Sequence, residues 1–426
     1  MKILVVGGGG REHAIVRCLS KSKRVSKIYS ASGNYAIGNY SELVDINPMD
    51  FDSLIEFAKK NEVDLTISAM DDALVAGIVD EFEKHNLKIF GPDKKASIIE
   101  GSKAFSKDLM KKYNIPTAGY QNFSSYEEAS DYIKTLSLPI VIKADGLALG
   151  KGVLISNTLE EAEEALKDIM LDQKFGKSGE NVVIEEFMTG HEVSILCFCD
   201  GKTIIPMVSA QDHKKAFDGN KGPNTGGMGT LSPSSHYTSD IALECMNKIF
   251  KPTMDALIQE GRPFKGVLFF GLMLTSKGPK VIEYNARFGD PETQVVLPRL
   301  KTDFVDIIEA CINGKLEDVR IEWEDFSTAC VILASGGYPD AYEKGYEIFG
   351  LDEFKGSKDT YIYHAGTTIK PNTSPNEEKF ITNGGRVLGI MSQGLDVSKA
   401  IEKSYKALEV IKFEDCFCRK DIGKYN

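Results

Sequence analysis

The chain has 426 residues, of which 42% are apolar and 27% charged, and its formal net charge is −11. At roughly 150 residues per domain this length suggests about three domains, and the composition excludes a disordered chain, a collagen or a coiled coil. No apolar run approaches the roughly 18 residues needed to span a bilayer, and the negative balance argues against nucleic acid or an anionic membrane as a partner.

From the N-terminus, strand and helix alternate. Lys2 to Val6 is a short apolar run ending in the four glycines Gly7 to Gly10, and a helix is expected from Arg11 to Leu19. This start has no secretory character, because the apolar stretch runs straight into glycine and charge. Strands follow at Ile28 to Ser30, Leu65 to Ser68 and Leu87 to Phe90, with helices at Phe51 to Lys60 and Leu74 to Lys84. This order implies a parallel sheet with helices on both faces.

The middle differs. A helix is expected over Ser102 to Tyr113, and Ser124-x-x-Glu127 reads as a capping box opening a helix to Leu136. Two strands, Pro139 to Lys143 and Val153 to Ser156, flank a glycine loop, and Thr158-x-x-Glu161 caps a further helix. Strands at Val182 to Phe187, Glu192 to Cys199, Val267 to Leu274 and Lys280 to Tyr284 complete a small α+β unit. A third region has strands at Thr328 to Ala334 and Arg386 to Met391, the latter entered through an Asn383-Gly384 turn, and a helix at Val397 to Val410. Eight cysteines include two C-x-C pairs, a spacing unlike common zinc sites. Reduced thiols, buried as small apolar residues in a cytoplasmic protein, are expected.

Gly7 to Gly10, between a strand and a helix, fit a phosphate cradle. A bare structural turn remains open; a nicotinamide fingerprint is disfavoured because Glu12 stands where its last glycine belongs. Asp145 to Gly152 fails the P-loop pattern, but a glycine loop between two strands can close over phosphates or simply form a hairpin tip. Glu283 and Asn285 lie two apart on a strand and so share a face. A carboxylate plus an amide oxygen suits Mg²⁺ completed by water and phosphate oxygens; the alternative is a polar edge strand. Arg287 beside them could hold a carboxylate and stabilise charge on an acyl phosphate. Lys103 and Lys143 could serve as point charges for phosphate, and Glu185, Glu186 and Glu192, at strand ends, could meet a nucleoside; each alone could equally be a surface charge.

Six stretches carry a resemblance: Gly9-Gly10-Arg11-Glu12-His13-Ala14, Gly101-Ser102-Lys103-Ala104-Phe105, Val141 to Gly146, Gln211-Asp212-His213-Lys214, Gly222 to Gly229, and Arg287-Phe288-Gly289-Asp290-Pro291-Glu292. Together with Asp415 to Gly423 they resemble the phosphoribosylamine–glycine ligase (glycinamide ribonucleotide synthetase) family, ATP-grasp enzymes of purine synthesis. The resemblance implies a multidomain α/β and α+β chain: an N-terminal parallel α/β domain over 1–100, an ATP-grasp domain over 101–325 with a lid at about 120–190, and a C-terminal α+β domain over 326–426. It implies that glycine and 5-phosphoribosylamine are joined at the expense of ATP, through glycyl phosphate, as the second step of de novo purine synthesis. A monomer is expected.

By the same resemblance, Lys103 and Lys143 hold ATP phosphates and Gly150, Lys151 and Gly152 close above them. Glu185, Glu186 and Phe187 meet adenine, largely through backbone, and Glu192 the ribose. Glu283 and Asn285 are the Mg²⁺ or Mn²⁺ ligands. Arg287 orients the glycine carboxylate and, with Lys143, is catalytic. Gly9, Gly10, Arg11, Asp212, Lys214 and Asp290 belong to the substrate side. The stretches Ser32 to Ala36 and Ala69 to Leu74 depart from the family's usual pattern, and Val267 to Leu274 lacks the carboxylate that many ATP-grasp enzymes carry there.

Overall fold

The computed structural model describes residues 1–148, 152–371 and 379–424. The N-terminal sheet has the order Glu42–Val44, Lys27–Ala31, Lys2–Val6, Leu65–Ser68, Ile89–Phe90, and every pairing is parallel. Lys2–Val6 is central, and its Ile3, Leu4, Val5 and Val6 are buried. Their side chains alternate between the two faces, so each face needs a helical cover. In such sheets ligands meet the carboxyl ends of the strands, here the glycine turn.

The helix expected over 74–84 is two helices, Asp71–Ala76 and Ile78–Lys84. Gly77 breaks it with φ +102°, a conformation that a side chain disfavours. The first of the pair starts at the carboxyl edge of the sheet, which sets Asp71 at the mouth of the site.

The middle of the chain forms two four-stranded sheets. One orders Tyr120–Phe123, Val182–Glu186, Ile140–Ala144 and Val153–Ser156; the other orders Ile204–Pro206, His191–Asp200, Lys265–Thr275 and Gly278–Asn285. Every pairing in both is antiparallel. The expected capping box at Ser124 lies one residue later: Ser125 Oγ accepts from Glu128 N at 3.3 Å, and the helix is Tyr126–Ile133. The Thr158 cap is present, accepting from Glu161 N at 3.2 Å. Ser102 caps helix Lys103–Lys112 through Phe105 N at 3.0 Å.

The third sheet mixes segments. Its order is Gln211–Asp212, Gly229–Ser232, Ser327–Ala334, Arg386–Gly394, Thr360–His364, so the middle of the chain contributes two strands to the C-terminal sheet. This places Asp212 and Arg386 near one another across a shared layer. The tail is tied down by Arg419, whose buried guanidinium reaches Asp421 at 2.8 Å and Asn220 at 2.9 Å. Cys197 and Cys199 lie in the apolar core of the middle unit, where burial pushes both thiols up. Among the described residues no helix is long and apolar enough to cross a membrane.

Three histidines are buried and neutral. Burial lowers His13 well below its ordinary value, His213 to about 4 and His364 to about 3. Their partners suit neutral rings: His13 accepts from His364 N at 3.0 Å, and His213 accepts from Gly423 N at 3.1 Å. The unfolded chain protonates its histidines below about 6.5, and the fold resists that protonation. Stability from these groups is therefore present above pH 6.5 and is lost as pH falls from 6.5 toward 4, by about 1.4 kcal/mol per pH unit for each ring. Urea titrations at pH 7 and pH 5 should show this loss, and His364→Asn should have a shallower pH dependence by one ring's share. Equal slopes in the two proteins would remove His364 from the account.

Candidate active site

The three units enclose a cavity of about 810 Å³. It gathers Arg11, Lys103, Lys143, Gly152, Glu185, Glu186, Phe187, Glu192, Asp212, Lys214, Glu283, Asn285, Arg287 and Asp290. Gly150 and Lys151 lie outside the described residues. Gly9 and Gly10 sit beneath Arg11 rather than on the cavity wall.

That difference has a packing cause. A Cβ on Gly8 would stand 2.2 Å from Ser32 O, and one on Gly10 2.7 Å from Gln294 Nε2. Gly8 and Gly10 thus admit neighbouring protein. Gly9 N donates to Glu12 Oε2 at 2.8 Å, and Glu12 Oε1 takes Arg11 Nε at 2.8 Å. The turn thereby aims Arg11 at the cavity. Asn34, from one of the departing stretches, supports it by donating to Gly8 O and to His364 O, both at 2.8 Å.

On the nucleotide side, the first loop residues bind the start of helix Lys103–Lys112. Asp145 Oδ1 accepts from Ser102 Oγ at 3.0 Å and Ala104 N at 2.7 Å, and Lys103 Nζ donates to Gly146 O at 2.7 Å. Deeper, Glu185 lies between two ammonium groups, Lys143 at 2.7 Å and Lys107 at 2.8 Å, all three buried. Burial lowers Lys107 to about 8. For Glu185 burial acts upward, but Lys143 and Lys107 hold it below the usual carboxylate value. Its side chain is thus committed to lysines, and its strand is paired on both sides within the sheet. Glu186 points outward to Lys280 at 3.0 Å.

Glu283 and Asn285 share a face, as their spacing requires, with buried Tyr284 on the other. Opposite Glu283 stands Gly271, where a Cβ would come within 3.2 Å of Glu283 Cγ. The neighbouring strand therefore adds no side-chain donor, and no group of three or more His, Cys, Asp or Glu suited to a metal occurs among the described residues. One carboxylate and one amide oxygen, in a cavity also lined by Lys103 and Lys143, fit a Mg²⁺-like ion that keeps water and other oxygens in its shell.

Arg287 NH2 meets Glu100 Oε1 at 2.8 Å and donates to Asn285 Oδ1 at 3.3 Å, while Asp71 lies 3.8 Å away. Its Nε is buried without a hydrogen-bond partner. Glu100 also accepts from Ala286 N at 2.7 Å, and burial raises its carboxyl to about 7. On the far wall Asp212 pairs with Lys214 at 2.7 Å. Burial opposes the Lys214 charge, but Asp212 and Glu292 raise it above the ordinary lysine value. Glu192 faces this group and is raised to about 7 by burial, with Lys214 opposing. Asp290 pairs with Arg386 at 2.8 Å; burial acts upward, but Arg386 and then Arg11 hold it low. Arg386 also donates to Gly226 O at 2.6 Å.

Asp71, Glu100, Lys107, Arg386 and Tyr338 line the cavity and had no part in the sequence reading. The signal for Asp71 was its place in a departing stretch, and for Glu100 its place before Gly101-Ser102-Lys103. Nothing local marks Arg386, which reaches the site through the sheet.

Family models match in three pieces: the phosphoribosylglycinamide synthetase N domain at 1–100, its ATP-grasp (A) domain at 101–293 and its C domain at 328–425. The phosphoribosylamine–glycine ligase of Caldanaerobacter subterraneus subsp. tengcongensis is 51% identical over 99% of both chains. That of Halalkalibacterium halodurans is 49% identical over 99% of this chain and 96% of its own. The solved phosphoribosylamine–glycine ligase of Thermotoga maritima superposes with a TM-score of 0.84 at 32% identity, covering 99% of this chain and 100% of that one. A biotin carboxylase from Campylobacter jejuni, 13% identical with a TM-score of 0.74 over 97% of this chain and 92% of its own, shares the fold. With matches spanning both ends of the sequence and the site residues gathered in one cavity, the chain belongs to the phosphoribosylglycinamide synthetase family of ATP-grasp ligases.

Proposed function

We propose that the chain joins glycine to 5-phosphoribosylamine, converting ATP to ADP and phosphate and yielding glycinamide ribonucleotide. The observation that carries this is the close sequence of lysines, carboxylate–amide pair and arginine around one cavity: Lys143, Glu283 with Asn285, and Arg287. The match of residues 101–293 to an ATP-grasp domain supports ATP as the energy source. In this reading the protein is a cytoplasmic monomer. Its working parts are 1–100, 101–325 with the lid at about 120–190, and 326–426.

Catalysis here is positioning and charge neutralisation. Adenine lies against the backbone of Glu185 to Phe187, and Glu192 accepts ribose hydroxyls. Lys143 and Lys103 take the phosphates, and Gly152 lines the cavity with them. Glu283 and Asn285 would hold Mg²⁺ or Mn²⁺, which when bound offsets phosphate charge. Arg287, with its unpartnered Nε, receives the glycine carboxylate. A carboxylate oxygen attacks the γ-phosphorus, the bond to the β-phosphate oxygen breaks, and ADP leaves glycyl phosphate. Arg11 and Asp290, with Asp212 and Lys214, orient phosphoribosylamine, the amine-bearing sugar phosphate. Its amine attacks the glycyl carbonyl carbon, phosphate departs, and the nitrogen loses a proton.

Three outcomes test this. ADP release measured with glycine should depend on added 5-phosphoribosylamine; release that ignores both substrates would sink the assignment. Glu283→Gln keeps size but removes charge, so turnover should fall on the order of 10²-fold with the melting temperature little changed, and Asn285→Asp should be milder. Near-normal turnover of Glu283→Gln at saturating Mg²⁺ would show that the strand face picked the wrong ligand. Glu100→Gln can still accept from Ala286 N but leaves Arg287 without its counter-charge. KM for glycine should rise about tenfold, the lower range for a charge-assisted hydrogen bond, with KM for ATP nearly unchanged. A rise confined to ATP would place Arg287 on the nucleotide instead.

A further inference from the structure

A second cleft, of about 370 Å³, opens where the first helix, Gly10–Leu19, ends. It shares no lining residue with the catalytic cavity. Ten residues of helix, about 15 Å, separate the glycine turn from this end.

Two cations dominate its wall. Arg17 and Lys21 are four apart, so they emerge on one side of the chain as it leaves the helix. Neither forms an ion pair with a carboxylate among the described residues. Arg17 instead lies flat on the Tyr361 ring, 3.8 Å from its centroid, and reaches Tyr363 Oη at 3.4 Å. Burial and the nearby Arg17 charge both lower Lys21. Lys358 and Lys301, the latter 3.6 Å from Glu322, add two more cations. Of the two carboxylates present, Asp359 is taken by Lys403 at 2.6 Å, which leaves Glu324. Arg17 is half-buried and Lys21 exposed, and Glu324 raises Lys21 only against the larger lowering by burial and by Arg17.

Pro298, Leu300, Phe326 and Met391 add apolar atoms to the other walls, beside Thr360 and Gln393. They are also firmly held. Tyr361 Oη meets His13 Nε2 at 3.0 Å, and Leu300 bridges to Trp323. A pre-formed cleft of this volume lies at the lower end of small-molecule sites, about 300–1,000 Å³. Adjacent arginine and lysine suit a dianion, the guanidinium through directed hydrogen bonds and the ammonium as a point charge.

We propose that this cleft is a binding site, separate from the catalytic cavity, for a phosphate monoester with a flat apolar body of mononucleotide size. The phosphate sits between Arg17 and Lys21, and the planar body lies along Leu300, Phe326 and Met391.

Trp323 is the chain's only tryptophan and pairs with a residue of the cleft wall, so its fluorescence reports locally. The probe is uridine 5′-monophosphate, titrated into the full chain with the catalytic site filled by ADP and Mg²⁺. A saturable change is expected. Uridine, lacking the phosphate, and inorganic phosphate, lacking the ring, should each bind at least tenfold more weakly. Lys21→Glu, at an exposed position, should weaken the probe at least tenfold while leaving turnover without probe unchanged. Arg17→Met should weaken it similarly, with circular dichroism checking that each variant folds. No saturable change in the wild type, or equal probe affinity in folded Lys21→Glu and Arg17→Met, would overturn the site. Equal affinity for inorganic phosphate would overturn the mononucleotide-sized ligand.

Discussion

Glu100 grips two groups at once: the guanidinium of Arg287 at 2.8 Å and the amide of Ala286 at 2.7 Å. Burying a carboxylate is costly, and this one is pushed to about 7 by its surroundings. What it provides is placement. Ala286 follows the last residue of strand Gly278–Asn285, so fixing its amide fixes the strand end that carries Glu283 and Asn285. Fixing the guanidinium sets Arg287 beside them. Glu100 itself ends one helix next to Ser102, the cap of the helix that begins with Lys103. One buried carboxyl thus sets the spacing between Lys103, the strand face of Glu283 and Asn285, and the Arg287 guanidinium.

Glu185 performs a similar task on the other wall. Its strand belongs to the sheet expected to form the lid, whereas Lys107 lies on the helix Lys103–Lys112. Lys107 also donates to Thr117 Oγ1 at 2.8 Å, and Thr117 in turn donates to Val281 O at 2.7 Å. A hydrogen-bonded chain therefore runs from the lid sheet to the strand of Glu283. Polar networks of this kind specify position when every member has a partner, and apolar packing alone would let the two sheets slide.

How much of this was readable depended on distance along the chain. Lys2–Val6 with its glycines, the pairing of Glu283 with Asn285 on one face, and the Thr158 cap are local patterns and were legible. So was the gathering of lysines, since each stands in its own short motif. Glu100 was not, because its partner Ala286 lies 186 residues away, and neither was Arg386, 96 residues from Asp290. Charged side chains carry no sequence mark of which opposite charge they will meet. The helical run Ser239–Cys245, Met246–Phe250 and Lys251–Gln259 went unread because Pro252 interrupts the pattern; the structure puts a π segment, Met246–Phe250, just before that proline. Gly77 was legible as a residue but not as a helix break, since its positive φ is imposed by the turn it serves.

The paired state of the cations alters what it means for a ligand to arrive. Lys143 rests on Glu185, Lys214 on Asp212, Arg11 on Glu12 and Arg287 on Glu100. The cavity is not a pool of bare positive charge waiting for any anion. Except at Lys103, which donates to Gly146 O, a phosphate entering must share or displace a resident carboxylate, so a lone phosphate gains little from most single exchanges. A triphosphate, a carboxylate and a sugar phosphate arriving together spread their charge over several such exchanges. Discrimination between a full set of substrates and stray anions is in this way a property of the resting pairs, present before any substrate is bound.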